Sequence, residues 1–136
     1  MIACDTNVYV YALSDDDPGR RARAVSLLSS LSKTDTVMLW QVACEFAAVL
    51  TRPRPKRRVA DEAFDAMLAL RGRFPLILPS PTVLDRGLDI HRKDQISYWD
   101  AMLLAACLEA DVTRLYTQDL QSAPSIRGIE IVDPFR

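Results

Sequence analysis

Between Ala101 and Leu108 the chain runs through eight consecutive apolar residues, AMLLAACL, with Trp99 ahead of them and Glu109 behind. A helix this apolar on every side belongs inside a domain, enclosed by other layers, and not on a surface with one greasy stripe. Asp100 nevertheless stands in its first turn. Two readings of that acid are open. Ser97 to Asp100 fits the S-x-x-D form of a capping box, and a carboxylate is welcome beside the unpaired amides of a helix N-terminus. Alternatively, Asp100 belongs with three other acids, Asp5, Glu45 and Asp119, each of which also stands in apolar surroundings at the end of an expected strand or helix.

The 136 residues and their 49% hydrophobic content suit one domain, 1–136, with a substantial core. A net charge of -1 provides no global attraction to polyanions, so any nucleic-acid contact has to come from a local patch. Cys4, Cys44 and Cys107 are isolated in apolar segments without C-x-x-C pairing and read as small buried hydrophobes in a reducing compartment. With no basic leader and no apolar run near the roughly 18 residues of a membrane span, the expectation is a soluble, cytoplasmic protein without membrane contact.

Along the chain, Met1–Cys4 reads as a buried strand that ends in Asp5-Thr6-Asn7, with Asn7 placed to cap a helix through Leu13. Ser14–Gly19 is loop, and Arg20–Leu31 an amphipathic helix whose Arg20, Arg21 and Arg23 form a solvated face. Val37–Leu39 predicts a second strand and Trp40–Thr51 a second apolar helix. In it Glu45 shares a face with Val42 and Val49, so it needs a cationic partner, a helix edge open to water, or a role. Arg52–Arg58, RPRPKRR, carries five positive charges and two prolines. It is either an exposed loop or a phosphate-contacting patch formed by Arg52, Arg54, Lys56, Arg57 and Arg58. Val59–Phe74 predicts a helix, Leu76–Leu78 a third strand, and Ser80-Pro81 opens a helix to about His91. The only histidine, His91, reads as a helix-end residue, which removes His-rich zinc sites and most histidine-based triads. Arg92–Gln95 is a polar turn, and Arg114–Tyr116 and Ile129–Val132 complete five strands.

Strands alternating with helices imply an α/β fold, a parallel sheet covered on both faces, with ligands at the carboxyl ends of its strands where strand order reverses. Asp5 and Asp119 follow the first and fourth strands; if these are neighbours, the two acids face one another, and Asp100 and Glu45 lie on the same edge. Two carboxylates about 5 Å apart repel by about 3 kcal/mol at an effective dielectric near 20, so four acids there require protons or a cation. An all-oxygen donor set suits Mg²⁺ or Mn²⁺, and the chemistry such ions support on a phosphate ester is phosphodiester hydrolysis.

The segments IACDTN, QVACE at Gln41–Glu45, SYWDAMLLAA at Ser97–Ala106, YTQDL at Tyr116–Leu120 and the closing GIEIVDPF together resemble the PIN-domain ribonucleases, most closely the VapC-type toxins of bacterial toxin-antitoxin pairs. The resemblance implies a five-stranded parallel sheet in the order 3-2-1-4-5. It implies that Asp5, Glu45, Asp100 and Asp119 form an acidic catalytic and metal site, supported by Asn7 and Thr117. It further implies an Mg²⁺- or Mn²⁺-dependent endoribonuclease acting on RNA, a homodimer, and a cognate antitoxin whose tail enters the site. One departure is Gln118, where many relatives carry a further acid. The main alternative is a catalytically weak PIN domain that binds RNA or a partner. A receiver-type signalling domain needs a phosphoacceptor aspartate after the third strand and a lysine after the fifth, and this chain has Leu78-Pro79 and Asp133-Pro134 in their places. A haloacid-dehalogenase-type phosphatase fails at Asn7 of the D-x-D position.

Overall fold

Ile2–Cys4 forms the short strand β1 at the middle of the sheet, with Ala3 and Cys4 fully buried. The computed structural model describes residues 1–52, 61–120 and 123–136. β1 pairs in parallel with β2, Thr36–Leu39, on one side and with β4, Arg114–Tyr116, on the other. β3, Leu76–Ile77, lies outside β2, and β6, Ile129–Val132, outside β4, both parallel. The first and fourth strands are therefore neighbours, and strand order reverses between them.

Among the described residues the sheet holds six strands, one more than the five expected. β5, Ser125–Ile126, pairs antiparallel with β6 and gives the order β3-β2-β1-β4-β6-β5. Ile126 and Ile129 face each other across a two-residue turn in which Arg127 and Gly128 both take positive φ, 54° and 83°. That is the primed-turn geometry matching the right-handed twist of a hairpin. Arg127 also anchors the turn with a two-pronged bond to Asp94, at 2.8 and 2.6 Å.

Among the described residues six helices cover the sheet. α1, Thr6–Leu13, is capped by Asp5, whose carboxylate accepts from the Thr6 amide, and not by Asn7 as the sequence suggested. α2, Pro18–Ser30, starts two residues before Arg20, because Asp17 caps it and Pro18 supplies a preset first turn. Its arginines do more than face water: Arg20 lies over the rings of Tyr11 and Phe135, Arg21 pairs with Asp15, and Arg23 donates to the Phe135 carbonyl. α3, Trp40–Thr51, follows β2 without a loop, and α4 spans Asp61–Arg71. α4 stops short of Phe74 because Arg73 turns away to donate to the carbonyls of Leu28, Ser29 and Leu31 at the end of α2. α5, Pro81–Asp94, runs three residues past His91 and ends where Gln95 adopts the left-handed conformation, φ 55°. None of the described helices is long and apolar enough to cross a membrane.

α6, Tyr98–Glu109, is the enclosed helix its composition demanded, with Ala101, Leu103, Leu104, Ala105 and Cys107 buried. α5 packs along it closely enough that a Cβ built on Gly87 would stand 2.3 Å from Sδ of Met102. At the other end of α5, Glu109 of α6 accepts from the Ser80 amide and hydroxyl, taking over the capping that Ser80's own side chain does not perform.

Candidate functional site

The end of β1 delivers Asp5 directly into the crevice at the reversal point. It is 7% exposed, with one oxygen accepting from the Thr6 amide at 2.6 Å and the other from the Thr117 hydroxyl at 2.8 Å. Burial pushes its carboxyl above the usual range. The bonds from Thr117 and Thr6 pull it back, and the negative charges of Asp119 and Glu45 push it up again.

Thr6 links this acid to the next, since its hydroxyl donates to Oε2 of Glu45 at 2.7 Å. Glu45 sits in the second turn of α3, half-buried, and its other oxygen accepts from Gln41 at 3.1 Å. Among the described residues no cationic side chain pairs with it, although Arg52 lines the same cavity. The same Gln41 amide donates to the backbone carbonyl of Trp99 at 3.0 Å, tying α3 to the start of α6.

Asp100, in the first turn of α6, accepts from Ser97 Oγ at 2.8 Å. The Ser97 hydroxyl makes no cap bond to the helix backbone, so the capping box anticipated from S-x-x-D is not formed. Asp119 follows β4 through Thr117 and Gln118. Its amide donates to Thr117 Oγ1 at 3.1 Å, and Asn7 approaches its carboxylate at 3.5 Å. Partial burial raises the Asp119 carboxyl, and the charges of Asp100 and then Asp133 raise it further.

All four acids line one cavity of about 340 Å³, together with Thr6, Asn7, Gln41, Arg52 and Trp99. Thr117 stands behind Asp5, fully buried. Arg52 therefore borders the cavity, whereas Arg54, Lys56, Arg57 and Arg58 lie outside the described residues. His91 is away from it, at the last turn of α5, bonded through Nδ1 to the Ile96 carbonyl at 2.7 Å. Gln118 donates to the Tyr11 hydroxyl at 3.5 Å. Cys4 and Cys107 are buried as expected, but Cys44 is exposed, because it lies on the face of α3 turned from the sheet toward an open groove.

Three contributors were not singled out from sequence. Thr6 bridges two acids, Gln41 orients Glu45 from one turn away in the same helix, and Asp133 adds a fifth negative charge near Asp119. The Gln41/Glu45 spacing of i, i+4 was a readable signal; Asp133, followed by a proline, looked like a strand terminator only.

Among the described residues, no group of three or more His, Cys, Asp or Glu side chains is gathered closely enough to hold a metal ion. Each acid instead holds a local hydroxyl, amide or carboxamide donor. The donor set still fits a hard, strongly hydrated cation, which keeps several waters and needs only one or two direct carboxylates. The mutual charge repulsion felt by Asp5 and Asp119 is the deficit such a cation relieves.

A family model described as PIN domain matches residues 2–123. No curated protein matches the chain. Among solved structures, a chain of a toxin-antitoxin complex from Klebsiella pneumoniae superimposes with a TM-score of 0.74 at 16% identity, covering 98% of each chain. The Mycobacterium tuberculosis protein VapC20, described as a sarcin-ricin loop cleaving toxin, gives 0.68 at 16% identity over 96% of this chain and 99% of that one. FitAcB from Neisseria gonorrhoeae gives 0.66 at 20% identity over 99% of both. At these identities the likeness is one of fold, and it extends along the whole length of both partners.

Proposed function

The chain belongs to the PIN-domain family, and from that premise we propose that it is a divalent-metal-dependent endoribonuclease, one PIN domain over residues 1–136, serving as the toxin of a toxin-antitoxin pair. The observation that carries the proposal is that Asp5, Glu45, Asp100 and Asp119, contributed by four separate parts of the chain, border one cavity at the carboxyl edge of the sheet. Ligand sites in open α/β sheets form at that edge.

In this reading the four acids are the catalytic and metal-holding residues. Held by these carboxylates, Mg²⁺ or Mn²⁺ would supply water activation and charge stabilisation toward an RNA phosphodiester. The protein's part is to keep its carboxylates aimed. Thr117 and Thr6 fix Asp5, Thr6 and Gln41 fix Glu45, Ser97 holds Asp100, and Asn7 stands by Asp119. Thr117 and Asn7 are thus positioning residues. Arg52 at the cavity border offers a phosphate contact, extended in the chain by Arg54, Lys56, Arg57 and Arg58.

The solved structures it resembles in fold include toxin-antitoxin complexes from Klebsiella pneumoniae and Rickettsia felis, the latter bound to a fragment of promoter DNA. This supports a cognate antitoxin as partner; homodimerisation, and action on RNA in the cytoplasm, belong to the same proposal.

The test is cleavage of a labelled structured RNA by the purified chain. Cutting is expected with Mg²⁺ or Mn²⁺, none in excess EDTA, and none by Asp5→Asn or Asp100→Asn proteins that remain folded. Tight RNA binding with no cutting under any metal would favour a binding module instead. Cutting that survives in EDTA or in both variants would remove the acids from the mechanism.

A further inference from the structure

Trp99 is 63% exposed, although it directly precedes one of the four acids and borders their cavity. A large indole left in water forgoes the burial free energy that normally draws it inside, so exposed aromatics concentrate where something binds. Its backbone is held in place. Gln41 donates from one carboxamide to the Trp99 carbonyl at 3.0 Å and to Glu45 at 3.1 Å, so the Trp99 backbone and that acid share a single brace. Tyr98 steadies it on the other side, edge-on at 5.0 Å between centroids and 73° between planes.

We propose that Trp99 is a stacking platform for one unpaired base of the RNA, beside the phosphate that is cut; the proposal rests on the ribonuclease reading above and names what that site selects. A flat, open π-face next to a phosphate-handling cavity is how proteins take up a base splayed out of a helix, and every base offers a face to it. The substrate class is therefore RNA with an unstacked nucleotide at the cleavage point, a loop or bulge and not a continuous duplex. Trp99 also borders the apolar groove formed with Trp40, Leu84 and Met102. The base is assigned to the side of the indole that meets the acids, because in the ribonuclease reading the scissile phosphate is handled in that cavity.

The chain has two tryptophans, which makes the test direct. Trp40→Phe leaves Trp99 as sole reporter, and its fluorescence is titrated with a short RNA hairpin carrying an unpaired loop, in Ca²⁺ buffer, against the same sequence annealed into full duplex. Quenching by the hairpin and far weaker quenching by the duplex are expected, with little change in the Trp99→Phe protein, which reports Trp40. In Mg²⁺, Trp99→Leu is expected to raise KM for the hairpin by on the order of ten-fold with kcat largely kept, and Trp99→Phe to restore most of the loss. An unchanged KM in Trp99→Leu, equal behaviour of the Leu and Phe variants, or absent quenching would overturn the platform while leaving the nuclease reading intact. Emission already blue-shifted and concentration-dependent without RNA would also overturn it, since a second copy of the chain would then cover the indole. If the unmodified protein neither binds nor cuts RNA, the nuclease reading falls first and the platform with it.

Discussion

The hydroxyl of Thr117 donates to Oδ2 of Asp5 at 2.8 Å, a bond between residues 112 positions apart that closes the seam where β1 and β4 run side by side. Thr117 simultaneously accepts from the Asp119 amide at 3.1 Å, so one buried side chain sets the spacing of two acids. Replacing it by valine keeps the shape and deletes both bonds. Hydrogen bonds to a charged group contribute roughly 1.5–3 kcal/mol, so Thr117→Val should lose at least about ten-fold in cleavage rate. Thr117→Ser should keep most of the activity. Rates for the three proteins, with urea unfolding as a control, decide it; a Val variant as fast as the parent would make Thr117 a spectator.

The electrostatics of Asp5 make a prediction about stability that needs no substrate. Its carboxyl is raised in the folded state, chiefly by burial. A raised acid binds its proton more tightly when folded, so its stabilising contribution is complete below the unfolded value near 3.9 and is lost as pH rises through the folded value. Asp5→Asn, which cannot ionise, should therefore melt above the parent at pH 7 in EDTA, with the gap closing toward pH 3. Added Mg²⁺ should raise the Tm of the parent and not of the variant. Thermal melts across that pH range check both parts; an Asn variant that is less stable at pH 7 would contradict the assignment.

Much of this arrangement was legible in the residues, because it depended on patterns that physics constrains tightly. The enclosed helix at Tyr98–Glu109 follows from an apolar run that had nowhere else to go, and acids at strand ends follow from the alternation of strands and helices. What escaped notice depended on geometry without a strong local signature. The β5–β6 hairpin turns on Arg127-Gly128, where arginine takes the positive φ usually given to asparagine or aspartate, so the expected turn signal was absent. The early end of α4 is set by Arg73 reaching another helix's carbonyls, a tertiary contact that no helix propensity encodes. Ser97 spends its hydroxyl on Asp100 and not on the backbone, a choice between two local partners that the S-x-x-D spacing does not resolve.

The cysteines separate by environment. Burial pushes the thiols of Cys4 and Cys107 up to about 12, while Cys44 is exposed on α3. Because the thiolate is the reactive form, native protein at pH 8 should react with one equivalent of a thiol reagent, at Cys44, and with all three only after denaturation. Peptide mapping of the labelled protein identifies the site; fast labelling of Cys107 would mean that α6 opens readily.

At the α5–α6 contact, a Cβ on Gly87 would meet Sδ of Met102 at 2.3 Å and its Cα at 3.3 Å. The sulfur can swing away, but the backbone atom cannot without separating the helices. Alanine gains up to about 1 kcal/mol of helix propensity over glycine, whereas overpacking a close contact costs roughly 1–3 kcal/mol. Gly87→Ala should therefore destabilise by about 1 kcal/mol, read as a lower urea midpoint with an unchanged slope. Because Met102 lines the groove beside Trp99, any movement of the sulfur should also appear as a change in tryptophan emission.

Tyr9 presents the opposite case, a polar atom buried with nothing to hold. Its side chain is fully buried against Phe46, ring centroids 5.7 Å apart, and its hydroxyl has no hydrogen-bond partner among the described residues. Burial pushes the phenol well above its usual value. An unpaired buried hydroxyl carries its desolvation cost without return, roughly 1–3 kcal/mol. Tyr9→Phe should then leave stability unchanged or raise it by about 1 kcal/mol, while Tyr9→Leu, which gives up the ring contact with Phe46, should lower it. The Phe variant falling below the parent in a urea titration would mean that the hydroxyl holds a bound water in solution.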